Sequence, residues 1–298
     1  MKVTELKKRC KEYTAELVQA VKEAKNDKKL LEYFDFCSRF HNYSFGNRLL
    51  IWAHKPSATF VAGFKAWQKM GRFIKKGERG IPIFAPMTIK VKKEDSRHLE
   101  SEISSIDPPD KHFTDPLFKS EGIEIITRFK VVYVWDVSQT EGDPLPTVPD
   151  TLAVNGDATS LLPALEKVVE NHEIVLSYVE EIYGDAIGVS KHGEIQILSS
   201  LEMAQRFSVL VHEFAHELLH GPWKRAGGLS AKMKELEAEA TAFVVSKYFS
   251  LQTKAPTYLA LYRVEEVDIM HSLDRIVRTA SEIIRAVENH IGGTEKQE

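Results

Sequence analysis

Cysteine is almost absent from this 298-residue chain, where Cys10 and Cys37 are the only two. That excludes a disulfide framework and any cysteine-built zinc site, and it fits a reducing, cytoplasmic setting. Long apolar runs are missing as well. No segment reaches the roughly 18 charge-free apolar residues of a membrane-spanning helix. The N-terminal stretch MKVTELKKRCKEYTAEL carries a charge every two or three residues, where a signal peptide needs an unbroken apolar core. No internal repeat is visible, which excludes a solenoid. Acidic residues are scarce in one region only: from Arg39 to Gly80 nine Lys or Arg stand against the single acid Glu78, although the whole chain carries a net charge of -3. The remainder is therefore acidic, and the split points to an anionic partner for one region.

With 43% hydrophobic and 28% charged residues, the chain has the balance of a soluble globular protein large enough for two domains. Val3 to Phe40 reads as helix, with a break at Asn26 and Asp27. A helix from Asn47 to Trp52, a strand from Thr59 to Phe64 and a strand from Ile81 to Ala85 follow, the last marked by Pro82 and Pro86 as an edge strand or one that ends quickly. Residues 90–121 are charged and rich in Ser and Pro, the pattern of a mobile insertion. Phe129 to Val137 is a β-branched and aromatic strand, and Glu141 to Pro149 a Pro/Gly linker. The expected organisation is α+β with two domains, 1–148 and 149–298. The second opens with a helix from Ser160 to Asn171 and strands at Ile174 to Tyr178 and Glu194 to Leu198, then becomes helical from Leu201 to His220, Ala231 to Phe249 and Val267 to His290.

In the basic region the cations alternate with eight aromatics: Phe40, Tyr43, Phe45, Trp52, Phe60, Phe64, Trp67 and Phe73. Cations that follow a phosphate backbone, set between rings on which bases stack, are the ingredients of single-stranded DNA binding. The candidate contacts are Arg39, Tyr43, Phe45, Arg48, Trp52, Lys65, Trp67, Arg72, Lys75, Lys76 and Arg79.

The chemistry lies in the other half. Within VHEFAHELLH, His212 and His216 stand four apart on one helix, which Ser199 or Ser200 can cap, so both imidazoles project from one face toward one metal. Glu213 lies about 100° round that helix, where it can touch a water on the metal without being a ligand. His220 is eight residues from His212, too far along a straight helix to join the same ion, and suits the helix end before Gly221. On the next helix Glu235 and Glu239 share a face and Glu237 points away. Glu235 is the candidate third ligand, with Glu239 steadying a ligating histidine or replacing it. Two histidines and one carboxylate leave a fourth position open, the pattern of a zinc hydrolase, with Mn2+ as the alternative ion. Peptide hydrolysis is the simplest such chemistry, with Glu194 to Leu198 as either an edge strand for an extended substrate or an ordinary buried sheet strand, and Tyr258 or Tyr262 as a candidate oxyanion donor.

The segment FHNYSFGNRLLIWAHKPSATFVAGFKAWQKMGRFIKKGERGIPIFAP resembles the N-terminal single-stranded-DNA-binding domain of ArdC-type antirestriction proteins. VHEFAHELLH with ELEAEATAF is similar to the active-site pattern of that family's C-terminal zincin-like metallopeptidase domain and of the ImmA/IrrE peptidases. The resemblance implies His212, His216 and Glu235 as metal ligands and Glu213 as the catalytic glutamate. A second register, beginning at Glu237, also matches loosely. It further implies a cytoplasmic protein of a mobile genetic element acting on a protein or peptide substrate. Two rival readings are a single-strand binder with a structural or vestigial metal site, and a metal-dependent nuclease.

Overall fold

Alternating apolar positions in two long segments make the dominant structural feature of the first half, a long antiparallel hairpin. The computed structural model describes residues 1–23, 28–92, 123–145, 158–184, 186–221, 229–251 and 266–294. In it β3 (Ile81–Lys92) pairs with β4 (Ile123–Asp136) from Ile81↔Val134 to Lys92↔Ile123. The short β1 (Val61–Gly63) pairs along the other side of β4, giving the order β1-β4-β3. The prolines of β3 are tolerated because that strand is at the edge. It does not end quickly as they imply, but runs through Lys92. Residues 90–92 of the expected insertion therefore belong to β3, and the rest lies outside the described residues.

Chain contacts separate two units, Met1–Thr14 with Tyr43–Leu145, and Ala15–Asn42 with Pro146–Glu298. The second unit thus includes the segment Ala15–Asn42, which a single cut near residue 148 assigns to the first.

The core of the first unit joins Leu6 of helix α1 (Val3–Glu23), Leu50 of α3 (Phe45–His54) and Phe84 of β3, with Cys10, Tyr13, Phe129 and Val131 packed round them. Ser44 caps α3 by accepting from the Asn47 N–H. Asn47 then acts as an extra strand rung: its Nδ2 donates to the Phe84 carbonyl and its Oδ1 accepts from the Phe84 N–H, both at 2.8 Å. A six-residue helix, α4 (Phe64–Lys69), follows β1. A second small sheet pairs β2 (Arg72–Ile74) with β5 (Thr140–Gly142). The expected linker therefore begins later than Glu141, because Glu141 and Gly142 are paired with Phe73 and Arg72. Buried Asp136 closes this corner by accepting from the backbone N–H groups of Thr59, Phe60 and Ser138.

In the second unit a three-stranded sheet has the order β6-β8-β7, with β6 (Val175–Val179) parallel and β7 (Gly188–Ser190) antiparallel to β8 (Glu194–Leu198). β8 is flanked on both sides, so it is not the substrate-aligning edge strand that its sequence offers. β7 occupies the edge of this sheet. Four helices complete the unit with α2 (Lys28–Arg39) and the last part of α1: α5 (Ala158–Asn171), α6 (Met203–His220), α7 (Ala231–Tyr248) and α8 (Glu266–Thr294). α6 buries Phe207, Leu210, Val211 and Phe214, and its N-cap is Glu202, not Ser199 or Ser200. α8 buries a stripe from Ile269 through Leu273, Ile276, Val277, Ala280, Ile284 and Val287, the spacing of one helix face. No described helix is long and apolar enough to cross a membrane.

Candidate functional site

α6 brings His212 and His216 to one face by its four-residue repeat, and their Nε2 atoms stand 3.1 Å apart. From α7 Glu235 reaches across, Oε2 to His212 Nε2 at 3.4 Å and Oε1 to His216 Nε2 at 3.4 Å. Three donors held tetrahedrally at about 2.0–2.1 Å from a zinc ion stand about 3.3–3.5 Å from one another. The two 3.4 Å contacts are made by different oxygens of Glu235, and with one donor atom from each residue the three lie within 4.8 Å of one another, close enough to converge on one ion after a small adjustment. Among the described residues this is the one group of His, Cys, Asp and Glu able to hold a metal.

The electrostatics follow from the same geometry. Hydrogen bonds to His212 and His216 hold the Glu235 carboxyl well below the usual carboxylate range, against burial. Burial works against charge on His212, but the Glu235 hydrogen bond and the charges of Glu213, Glu235 and Glu239 outweigh it and raise its pKa. Glu213 is buried beside the pair, and burial raises its pKa although both histidines pull it down. A buried carboxylate with a raised pKa next to a ligand cluster is the condition of a proton acceptor.

β7 forms the wall next to Glu213. A Cβ on Gly188 would lie 2.9 Å from Glu213 Oε1 and 2.5 Å from Val209 Cγ1, so only glycine lets the strand approach so closely. Glu217, one residue beyond His216, holds the β7–β8 turn against α6 by accepting from Ser190 Oγ and, at 3.0 Å, from the Gly193 N–H. Nothing in the sequence pattern singled out Gly188, Ser190 or Glu217, although glycine two positions before a serine in a short strand is a signal of close backbone approach.

The other candidates separate cleanly. Glu239 is exposed and does not join the cluster. Glu237 is fully buried and faces Ser272 and Arg275 of α8. His220 is buried against Glu237 at 3.6 Å, and burial depresses its pKa to about 4; it acts between helices where a role at the helix end was expected. Tyr258 and Tyr262 lie outside the described residues.

The structure redistributes the basic, aromatic residues. Trp67 is fully buried and donates from Nε1 to the Trp135 carbonyl at 2.9 Å, and Arg48 is 3% exposed. Both belong to the core and neither offers its side chain to a nucleic acid. Arg72 is tied to Thr140 Oγ1 at 2.8 Å and lies 6.0 Å from the Trp67 ring. Tyr43 donates to the Val61 carbonyl at 3.1 Å, and Phe45 and Trp52 are half-buried on α3. Arg39 lies in the second unit, paired with Asp35. Lys65, Lys75, Lys76 and Arg79 are exposed, with Lys75 also donating to the Ser138 carbonyl. The rings that reach solvent are different ones: Phe60, Phe64, Phe73 and Tyr133 are 46%, 50%, 57% and 42% exposed. Phe60 leans edge-on against Trp67 and Phe64 against Trp135, and Gly80 passes directly under Trp135 and Tyr133.

Residues 4–115 match the family model of the N-terminal domain of anti-restriction factor ArdC. The chain carries an ArdC-type N-terminal domain. Its fold is similar to that of the antirestriction ArdC protein from the R388 plasmid in a metal-free crystal structure, with a TM-score of 0.55 and 13% identity over 95% of this chain and 98% of that one. A Mn(II)-bound structure of the R388 protein matches with a TM-score of 0.45 at 14% identity, covering 87% of this chain and 97% of that one. An uncharacterized protein of Bacillus anthracis is 24% identical across 98% of this chain and 54% of its own length. The chain spans about half the length of this curated relative.

Proposed function

We propose that this ArdC-type chain is an antirestriction protein that binds single-stranded DNA through its first unit and carries a one-metal peptidase centre, zincin-like in arrangement, in its second. The observation that carries the catalytic half is the convergence of His212, His216 and Glu235 within 4.8 Å beside the buried Glu213. Zinc, with manganese as the alternative, supplies there a positive charge that polarises a substrate carbonyl and acidifies water. The chain's own residues do the rest. The two histidines and Glu235 would hold the ion, and the Glu213 carboxylate would take a proton from the attacking water and return it to the leaving amine. The wall of β7 fixes Glu213 and excludes bulk water from its other side.

For the binding half, the support is an exposed set of rings, Phe60, Phe64, Phe73 and Tyr133, in the same unit as the exposed cations Lys65, Lys75, Lys76 and Arg79. Exposed rings stack on unpaired bases and are of little use to a paired duplex, so the preferred ligand is a single strand. The antirestriction role follows the name of the R388 protein whose fold this chain shares. A domain division at about residue 148 accompanies this reading, with DNA binding before it and hydrolysis after it.

The test is metal content of the purified protein beside His212→Ala and Glu213→Gln. One zinc or manganese per chain, lost in the histidine variant and kept in the glutamate variant, is expected. Equal metal in all three, or none in any, would end the catalytic reading. Incubation with a labelled single strand in zinc or manganese tests the nuclease reading in the same series, with an intact strand expected.

A further inference from the structure

Glu235 carries the third donor of the metal centre, yet its side chain is 61% exposed and its recorded partners are the two histidines themselves. Its position is set by how α7 is rotated and how far it is advanced. Apolar packing along α7, which buries Met233, Leu236, Phe243, Val244 and Val245, is not directional, and next to the site Ala238 meets Ala215 and Leu219 of α6. A helix turns 100° and advances 1.5 Å per residue, whereas a metal ligand has a tolerance of about 0.2 Å. A directional contact is needed, and one is present two residues on.

Glu237 is fully buried, a costly place for a carboxylate without partners. It is surrounded by donors from other helices. Ser272 Oγ donates to Oε1 at 2.7 Å, and Arg275 Nε lies 3.2 Å from each carboxylate oxygen while its Nη2 also donates to Oε1. From α6, His220 Nε2 stands 3.6 Å from Oε2. One side chain thereby ties α7 to α8 by hydrogen bonds and lies against the helix that bears both histidines, one turn beyond His216.

We propose that Glu237, clamped by Arg275 and Ser272, is the positioning residue of the metal centre: it fixes the rotation and height of α7 and so brings Glu235 to His212 and His216. The proposal rests on the reading that those three residues hold a metal. Replacement of residues that orient metal ligands weakens affinity by about 10- to 100-fold.

The experiment measures zinc affinity of the full chain by competition with a chromophoric chelator, the visible spectrum of the Co2+-loaded protein, and thermal unfolding without metal. Glu237→Gln and Arg275→Gln should each weaken zinc by about 10- to 100-fold and alter the Co2+ band. The double variant should be no weaker than the worse single, because both changes release the same clamp. Glu282→Gln, an exposed acid of α8, is the control and should match wild type. Wild-type affinity and an unaltered Co2+ band in both single variants overturn the positioning role and leave the metal centre standing. A lower melting temperature with unaltered affinity and Co2+ band assigns Glu237 to general stability and overturns it too. Wild type that takes up neither zinc nor Co2+ removes the metal reading itself, a separate outcome. Should Glu237→Gln fail to fold, Ser272→Ala, which deletes one hydrogen bond, carries the test: a several-fold loss supports the clamp and unchanged affinity overturns it.

Discussion

A methyl group at position 188 is the smallest change that probes the wall beside Glu213. In Gly188→Ala the new Cβ would lie 2.5 Å from Val209 Cγ1, 2.9 Å from Glu213 Oε1 and 3.1 Å from Glu213 Cγ. Carbon atoms in contact sit about 3.5–4.0 Å apart, so β7 must retreat from α6 by about 1 Å or Glu213 must swing away. Val209 is packed into the buried side of α6 and cannot yield without disturbing the core. Such overpacking costs about 1–3 kcal/mol, which lowers the melting temperature of a unit of this size by about 2–12 °C. The metal ligands are untouched, so zinc affinity should remain near wild type while any hydrolytic rate that depends on Glu213 falls. Thermal unfolding with and without zinc, beside chelator competition, reads both effects. Gly292→Ala, whose Cβ would meet nothing within 4 Å, is the matched control and should melt no lower than wild type. A Gly188→Ala protein that melts with the control would refute the close approach of β7 to α6.

Phe64→Ala and Phe73→Ala should each weaken single-strand affinity by about 1–3 kcal/mol, roughly 5- to 150-fold, with little change in melting; Trp67→Ala should instead destabilise the protein by about 3–5 kcal/mol. Fluorescence anisotropy with a labelled oligonucleotide separates the two, and normal binding by both phenylalanine variants would disprove the ring assignment. Lys75→Ala and Lys76→Ala should each reduce the slope of log affinity against log salt by about 0.7, read from the same titration at several ionic strengths. Glu235→Gln should lose the metal and Glu239→Gln keep it, by elemental analysis; the reverse would move the third ligand to Glu239. Burial pushes the Asp136 pKa up, but hydrogen bonds from the Ser138 hydroxyl and from the Thr59, Ser138 and Phe60 backbone outweigh it and lower it. Its stabilisation is therefore complete above the ordinary carboxyl range and lost as pH falls through the lowered value. Asp136→Asn should flatten the decline of stability below about pH 4 in denaturant unfolding, and an unchanged acid limb would count against that role.

The features legible in the sequence are those that a single element encodes. The α6 histidines share a face because of the helical repeat alone, and the structure adds only their 3.1 Å separation. The stripe of α8 was readable for the same reason, whereas of the strands only the stretches Ile81 to Ala85 and Phe129 to Val137 were read, and their extension to Lys92 and back to Ile123 was not. Exposure of individual rings was not readable. Phe64 and Trp67 are three residues apart on α4, equally aromatic and equally close to lysines, yet one is 50% exposed and the other 0%. Only the pairing of β1 with β4 puts the Trp135 carbonyl where Trp67 can donate to it. The strand pair β2 and β5 was hidden likewise, because three residues on each side carry no period and their partners are 66 to 70 residues apart in sequence. β8 reads as an edge or as a buried strand until β7, too short to announce itself, is seen to cover it.

The three acids of α7 show where such reading stops. Helical spacing divides Glu235 and Glu239 from Glu237 but does not say which side faces the histidines, and the low amphipathicity of a helix buried on most of its surface gives no help. The division is made by residues on other helices. Ser272 and Arg275, 35 and 38 positions away, claim Glu237 for the interior. With that acid fixed inward, Glu235 is carried to the rim of α6 and Glu239, one turn further, is carried past it. The acid that a sequence reader sets aside as pointing the wrong way is thus the one whose burial determines where the other two point.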